Sequence, residues 1–158
     1  MLIAFVGCVG AKAQKDSLPP YKQVPFIPSF TIQLTDSANF SKKDLPKKTP
    51  VVIIYFNPEC GHCQAEATEL SKNMDRFKKV FFVMAAYHDL GQIKEFGEVY
   101  GFDKFDNIKL GRDSKYFLPV FYDVKTTPFS AVYDKKGKLV KAFEHGMSVE
   151  ELEKALFD

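Results

Sequence analysis

"VVIIYFNPECGHCQAE", residues 51–66, passes from an unbroken β-branched and aromatic run into two cysteines separated by two residues. Val51 to Phe56, with Pro50 before it and Pro58 after it, reads as a central strand covered on both faces, because such strands are apolar throughout rather than alternating. A helix is predicted next. Cys63, Ala67, Leu70, Met74 and Phe77 recur at steps of four, three, four and three, which places them on one apolar stripe of a helix reaching about Lys79. Cys60 therefore stands at a helix N-terminus, and Cys63 heads the buried face about one turn further in.

Working outward, "VFFVMAAY" (80–87) reads as a second central strand, and Asp89 to Tyr100 has helical spacing through Leu90, Ile93, Phe96 and Tyr100. Strand, helix and strand form a βαβ unit with neighbouring parallel strands, since such crossovers are right-handed almost without exception. Upstream, "SFTIQLTDS" (29–37) alternates as a half-buried strand, and "NFSKKDLPKKTP" (39–50) reads as a solvated basic connector. Downstream, "NIKLGRD" (107–113) suggests a short strand, and "KYFLPVFYDV" (115–124) a helix or loop interrupted by Pro119. In "PFSAVYDKKGKLVKAF" (128–143) two apolar runs flank Asp134-Lys135-Lys136-Gly137, a hairpin signal with Gly placed for positive φ. Ser148 and Glu151 make a capping box for a last helix with Leu152, Leu156 and Phe157 on its apolar side. The pattern is that of one α/β domain over residues 29–158.

Hydrophobic residues make up 46% of the 158, including sixteen Phe and seven Tyr, enough to bury an interior without staples. The net charge of +2 comes from interspersed signs, which excludes the single-signed field of a nucleic-acid or anionic-lipid partner. Residues 1–13 hold an apolar stretch from Leu2 to Val9 and the small-x-small pattern Ala11-Lys12-Ala13, as before a signal-peptidase site, although the positive n-region is missing. That run is too short for a transmembrane span. Export to the periplasm or cell envelope is expected, with a lipid anchor at Cys8 as the lesser reading. Residues 14–28, rich in Pro and Lys, read as an exposed lead-in. Once the signal is removed, Cys60 and Cys63 are the only cysteines, too few for a disulfide scaffold.

The Cys-Gly-His-Cys geometry is chemically asymmetric. Unpaired N–H groups and the positive end of the helix dipole favour a thiolate at Cys60, whereas Cys63 on the buried stripe stays protonated until needed. Once Cys60 has attacked a disulfide, Cys63 is placed to resolve the mixed disulfide, and the reverse steps oxidise a dithiol. A protonated His62 would add electrostatic support to the Cys60 thiolate, the alternative being an exposed residue without a role. Gly61 lets the backbone turn tightly at the helix start.

These residues, with "TTPFSAVYDKKGKLV" (126–140) and "HGMSVEELEKAL" (145–156), resemble the thioredoxin superfamily, and most of all exported thiol-disulfide oxidoreductases of the TlpA/ResA type, AhpC/TSA-like redoxin domains. The resemblance spans roughly Phe30 to Phe157 and implies a thioredoxin-like fold, a central mixed β-sheet flanked by helices. It further implies a cis bond before Pro128 against the active-site pair, substrate contacts at Thr127 and Pro128, and a Cys60–Cys63 disulfide in the oxidised state. By sequence alone Pro128 could equally be a strand-start proline. Glu66 matches the acidic residue such proteins keep beside the pair and would carry the proton of Cys63; a solvated helix carboxylate is the alternative.

Two departures stand out: Ile54 occupies the position of thioredoxin's buried Asp, and the chain has no Trp. No cofactor is implied, and the implied partners are protein thiols or disulfides and an upstream redox protein. A structural zinc site lacks ligands, since only His62, His88 and His145 accompany one cysteine pair. A copper-binding thioredoxin-like protein would use both thiolates and a distant His145, and a thiol peroxidase would share the "PSFTIQL" opening but needs Thr where Asn57 stands.

Overall fold

A computed structural model describes residues 18–158. The apolar start, the Ala13 junction and Cys8 lie outside the described residues. Val51–Tyr55 forms strand β3, the third in chain order, and all five of its residues are buried. Before it come helix α1 (Pro20–Gln23) and strands β1 (Thr31–Leu34) and β2 (Asn39–Ser41). After it come α2 (Gly61–Asn73), β4 (Phe81–Ala86), α3 (Leu90–Val99), β5 (Ile108–Arg112), α4 (Phe117–Tyr122), β6 (Phe129–Tyr133), β7 (Leu139–Phe143) and α5 (Val149–Phe157). The seven strands make one mixed sheet in the order β2-β1-β5-β4-β3-β6-β7. β3 runs parallel to β4, with Tyr55 opposite Ala85, and antiparallel to β6, with Tyr55 opposite Phe129.

Alternation along β3 divides the core. Val52 and Ile54 join Cys63, Leu70, Phe77, Ile93 and Leu152 under α2, α3 and α5, while Val51, Ile53 and Tyr55 join Tyr21, Phe30, Tyr122 and Phe129 on the opposite face. Each such side chain contributes about 1.5–3 kcal/mol on burial, so the two faces hold the sheet from both sides. The stripe predicted from Cys63 to Phe77 is buried throughout, its last turn being a 3-10 segment at Met74–Phe77.

Four local readings need correction. From Pro20 onward the expected exposed lead-in is folded: α1 buries Tyr21, Ile27 is buried, and Phe26 bridges to Lys138. Two apolar anchors suffice to hold a segment that has no period. The basic connector contains β2, which buries Phe40 while its neighbouring lysines face solvent, a charged rim suited to an edge strand. Pro119 does not interrupt α4, because as the third helical residue it lies in the first turn, where its missing N–H has no helical partner to lose. Phe157 is exposed, so the buried side of α5 is Val149, Leu152 and part of Leu156.

Candidate active site

The loop after β3 delivers two thiols to one end of the sheet. Cys60 is the N-cap of α2 in an extended conformation and is half-buried; Cys63 is buried, and both carry free thiols. They lie 3.8 Å apart. The loop is tied by the Cys60 N–H to the Asn57 carbonyl (3.1 Å) and by the Glu59 N–H to Asn57 Oδ1 (2.8 Å). The Asn57 N–H also donates to Cys63 Sγ at 3.4 Å.

Burial and backbone amides drive the two thiols apart in acidity. Hydrogen bonding from the Cys63 backbone N–H, with further help from the His62 N–H and Thr127, lowers the pKa of Cys60. Loss of water pushes Cys63 up to about 12 despite its bond from Asn57. Support for a Cys60 thiolate thus comes from the backbone of the helix start, while the His62 side chain stays exposed along a neighbouring groove. Gly61 has no positive φ, and a Cβ there would meet nothing within 4 Å, so the turn into the helix does not depend on glycine at this position.

The Thr127–Pro128 bond is cis, and antiparallel pairing of β6 with β3 brings it to the Cys60 loop. The Cys60 thiol donates to the Thr127 carbonyl at 3.5 Å.

Glu66, one turn beyond Cys63, is partly buried, and its carboxyl is pushed up to about 7 by loss of water. Its Oε2 accepts the Met147 N–H at 2.8 Å. Gly146 is required beside it: φ is +88°, and a Cβ would stand 3.0 Å from Glu66 Oε2 and 3.3 Å from Pro128 Cγ. The fully buried Ser130 hydroxyl also borders Glu66. Sequence reading did not single out Ser130, Gly146 or Met147. The only signal was "HGMS" before the last helix, where a Gly ahead of a capping box marks a sharp turn without saying what it touches. His62, Glu66, Pro128, His145 and Met147 line a groove of about 470 Å3 beside the thiols. His145 pairs with Thr126 Oγ1 at 3.1 Å rather than with either cysteine, and among the described residues no three His, Cys, Asp or Glu side chains converge as metal ligands.

A strand-to-helix dithiol facing a cis-proline loop is the arrangement of thioredoxin-like redox proteins, and residues 26–154 match the AhpC/TSA family. The chain belongs to the AhpC/TSA family. No curated protein matches it by sequence. Among solved structures, a secreted Mycobacterium tuberculosis disulfide oxidoreductase homologous to Escherichia coli DsbE is 26% identical, with a TM-score of 0.68 over 80% of this chain and 93% of that one. DsbF of the same organism is 24% identical (TM-score 0.69; 80% and 92% covered). StoA from Bacillus subtilis is 20% identical (TM-score 0.63; 83% and 98% covered). The AhpC/TSA chain described here is thus a thioredoxin-like thiol-disulfide oxidoreductase, in agreement with the fold and activity that the sequence resemblance implied.

Proposed function

We propose that the chain exchanges disulfides with protein thiols through Cys60 as nucleophile and Cys63 as resolving thiol. The observation that carries this reading is the opposite displacement of two thiol acidities 3.8 Å apart. In the reducing direction the Cys60 thiolate attacks a substrate disulfide and expels one substrate sulfur as thiolate. Cys63 then gives up its proton, attacks Cys60 and releases the second substrate sulfur, leaving a Cys60–Cys63 disulfide and a substrate reduced by two electrons. Glu66, with a pKa near neutrality, takes the proton of Cys63. Gly61, His62, Thr127 and Pro128 border the substrate, and an upstream redox partner restores the dithiol. No cofactor enters these steps.

We assign the exchange chemistry to residues 29–158 and read residues 1–13 as an export signal, which puts the protein in a bacterial periplasm or cell envelope. The secreted M. tuberculosis neighbour supports that location, and no described helix is long and apolar enough to cross a membrane. Lipidation of Cys8 is the alternative fate of the N-terminus.

Single substitutions test the mechanism. Cys60→Ser should abolish turnover of a disulfide-bonded protein substrate, and Cys63→Ser should accumulate a mixed disulfide visible on a non-reducing gel. Undiminished turnover by Cys60→Ser would refute the assignment.

A further inference from the structure

The sheet end that presents Cys60 carries a second feature, which disulfide exchange does not use. Tyr87 follows β4, Tyr116 precedes α4, and Phe117 and Val120 lie in the first turns of that helix. The two tyrosines are 48% and 49% exposed, and Val120 is 65% exposed. Their rings meet edge to face at 5.3 Å, and Arg112 lies over Tyr87 at 5.6 Å while pairing with Asp89 at 3.4 Å. The exposed side chains are therefore largely aromatic and apolar, and Arg112 at their edge is already engaged by Asp89.

Holding it open costs stability. Tyr116 has φ 54° and ψ 32°, a left-handed conformation that disfavours a bulky side chain. Buried Asp113 maintains the turn: its carbonyl accepts the Tyr116 N–H at 3.1 Å and its Oδ2 the Leu118 N–H at 2.7 Å, while Oδ1 has no partner among the described residues. Selection for stability alone favours Gly or Asn at such a position, and strain of this kind concentrates where a surface has work to do.

The patch lies at the same end of the sheet as the exchange site. β3 ends at Tyr55, opposite Ala85 on one side and Phe129 on the other, so Tyr87 leaves the sheet one strand from the Cys60 loop, and β5 leads to Tyr116 two strands away. Those strands lie roughly 5 and 10 Å from β3. An extended polypeptide covers that span in about two to four residues. We propose that Tyr87, Tyr116, Phe117 and Val120 receive an apolar or aromatic side chain of the protein substrate, carried two to four residues from the cysteine joined to Cys60. The inference rests on the exchange reaction proposed above and adds a selectivity to it.

Two synthetic peptides separate the two ideas. Each carries one cysteine as its disulfide with thionitrobenzoate, and they differ only in Phe or Ser three residues from that cysteine. Release of thionitrobenzoate by the reduced protein should be about tenfold faster with the Phe peptide, the worth of one aromatic contact of about 1.4 kcal/mol. In Tyr87→Ser/Tyr116→Asn that ratio should fall to about one. Asn tolerates the left-handed conformation, so the turn is kept; if the double variant nevertheless fails to fold, Tyr87→Ser alone should reduce the ratio. Equal rates in the parent protein, or a preference that survives the substitutions, overturn the docking surface while leaving exchange intact. No reaction with either peptide overturns the exchange reading and the docking surface with it.

Discussion

At Glu66 a carboxyl that has lost most of its water between α2 and the turn before α5 keeps its proton up to about pH 7, against an ordinary value of 4.5. The folded state then binds more protons than the unfolded chain between these values. The contribution to stability is complete below pH 4.5 and is lost as pH rises through 7. Glu66→Gln cannot ionise, so its melting temperature should stay level over that window while that of the parent declines; parallel declines would show that another group is responsible. The same variant should slow resolution of the mixed disulfide near neutral pH by about 100-fold, the lower range for loss of a general base, as followed by stopped-flow quenching. The spacing Cys60, Cys63, Glu66 was legible because it is a helical repeat. The depth of burial that raises the pKa of Glu66 was not, since it depends on Ser130 and Met147, 64 and 81 residues away in the chain.

The turn between β7 and α5 joins the last helix to the site. Ser148 Oγ accepts the Glu151 N–H at 3.2 Å and Glu151 Oε2 accepts the Ser148 N–H at 2.9 Å, the capping box foreseen from the sequence. Ser148→Ala should cost about 1 kcal/mol. For a chain of this size that is a drop of about 2–4 °C in melting temperature, measurable by calorimetry, and no drop would mean that the cap is dispensable. Long periodic elements such as α2 and α3 and the buried strands β3 and β4 could be read because repetition identifies them. The short elements α1 and β2 contain three or four residues each, too few to display a period.

Across the whole molecule, the segment before β1 helps to close the face of the sheet opposite α2. Tyr21 is 3% exposed and meets Tyr122 at 5.8 Å and Phe129 at 5.9 Å, the second ring edge to face. Tyr21→Ala should therefore lower the unfolding free energy by about 3 kcal/mol in urea, with an unchanged denaturant slope. A loss below about 1 kcal/mol would mean that this segment is an appendage after all. Phe129 begins directly after Pro128, so the same packing supports the cis-proline loop from beneath.

Sequence alone determined the strand-to-helix dithiol, the βαβ unit, the final hairpin and the cap of the last helix, because each depends on residues close together in the chain and on the period of one element. Tertiary structure decided the rest: the pKa of Glu66, the need for Gly146 and the strained display of Tyr116. Each of these depends on which side chains lose water together. Folding brings those side chains together from distant parts of the chain, and no local pattern records the meeting.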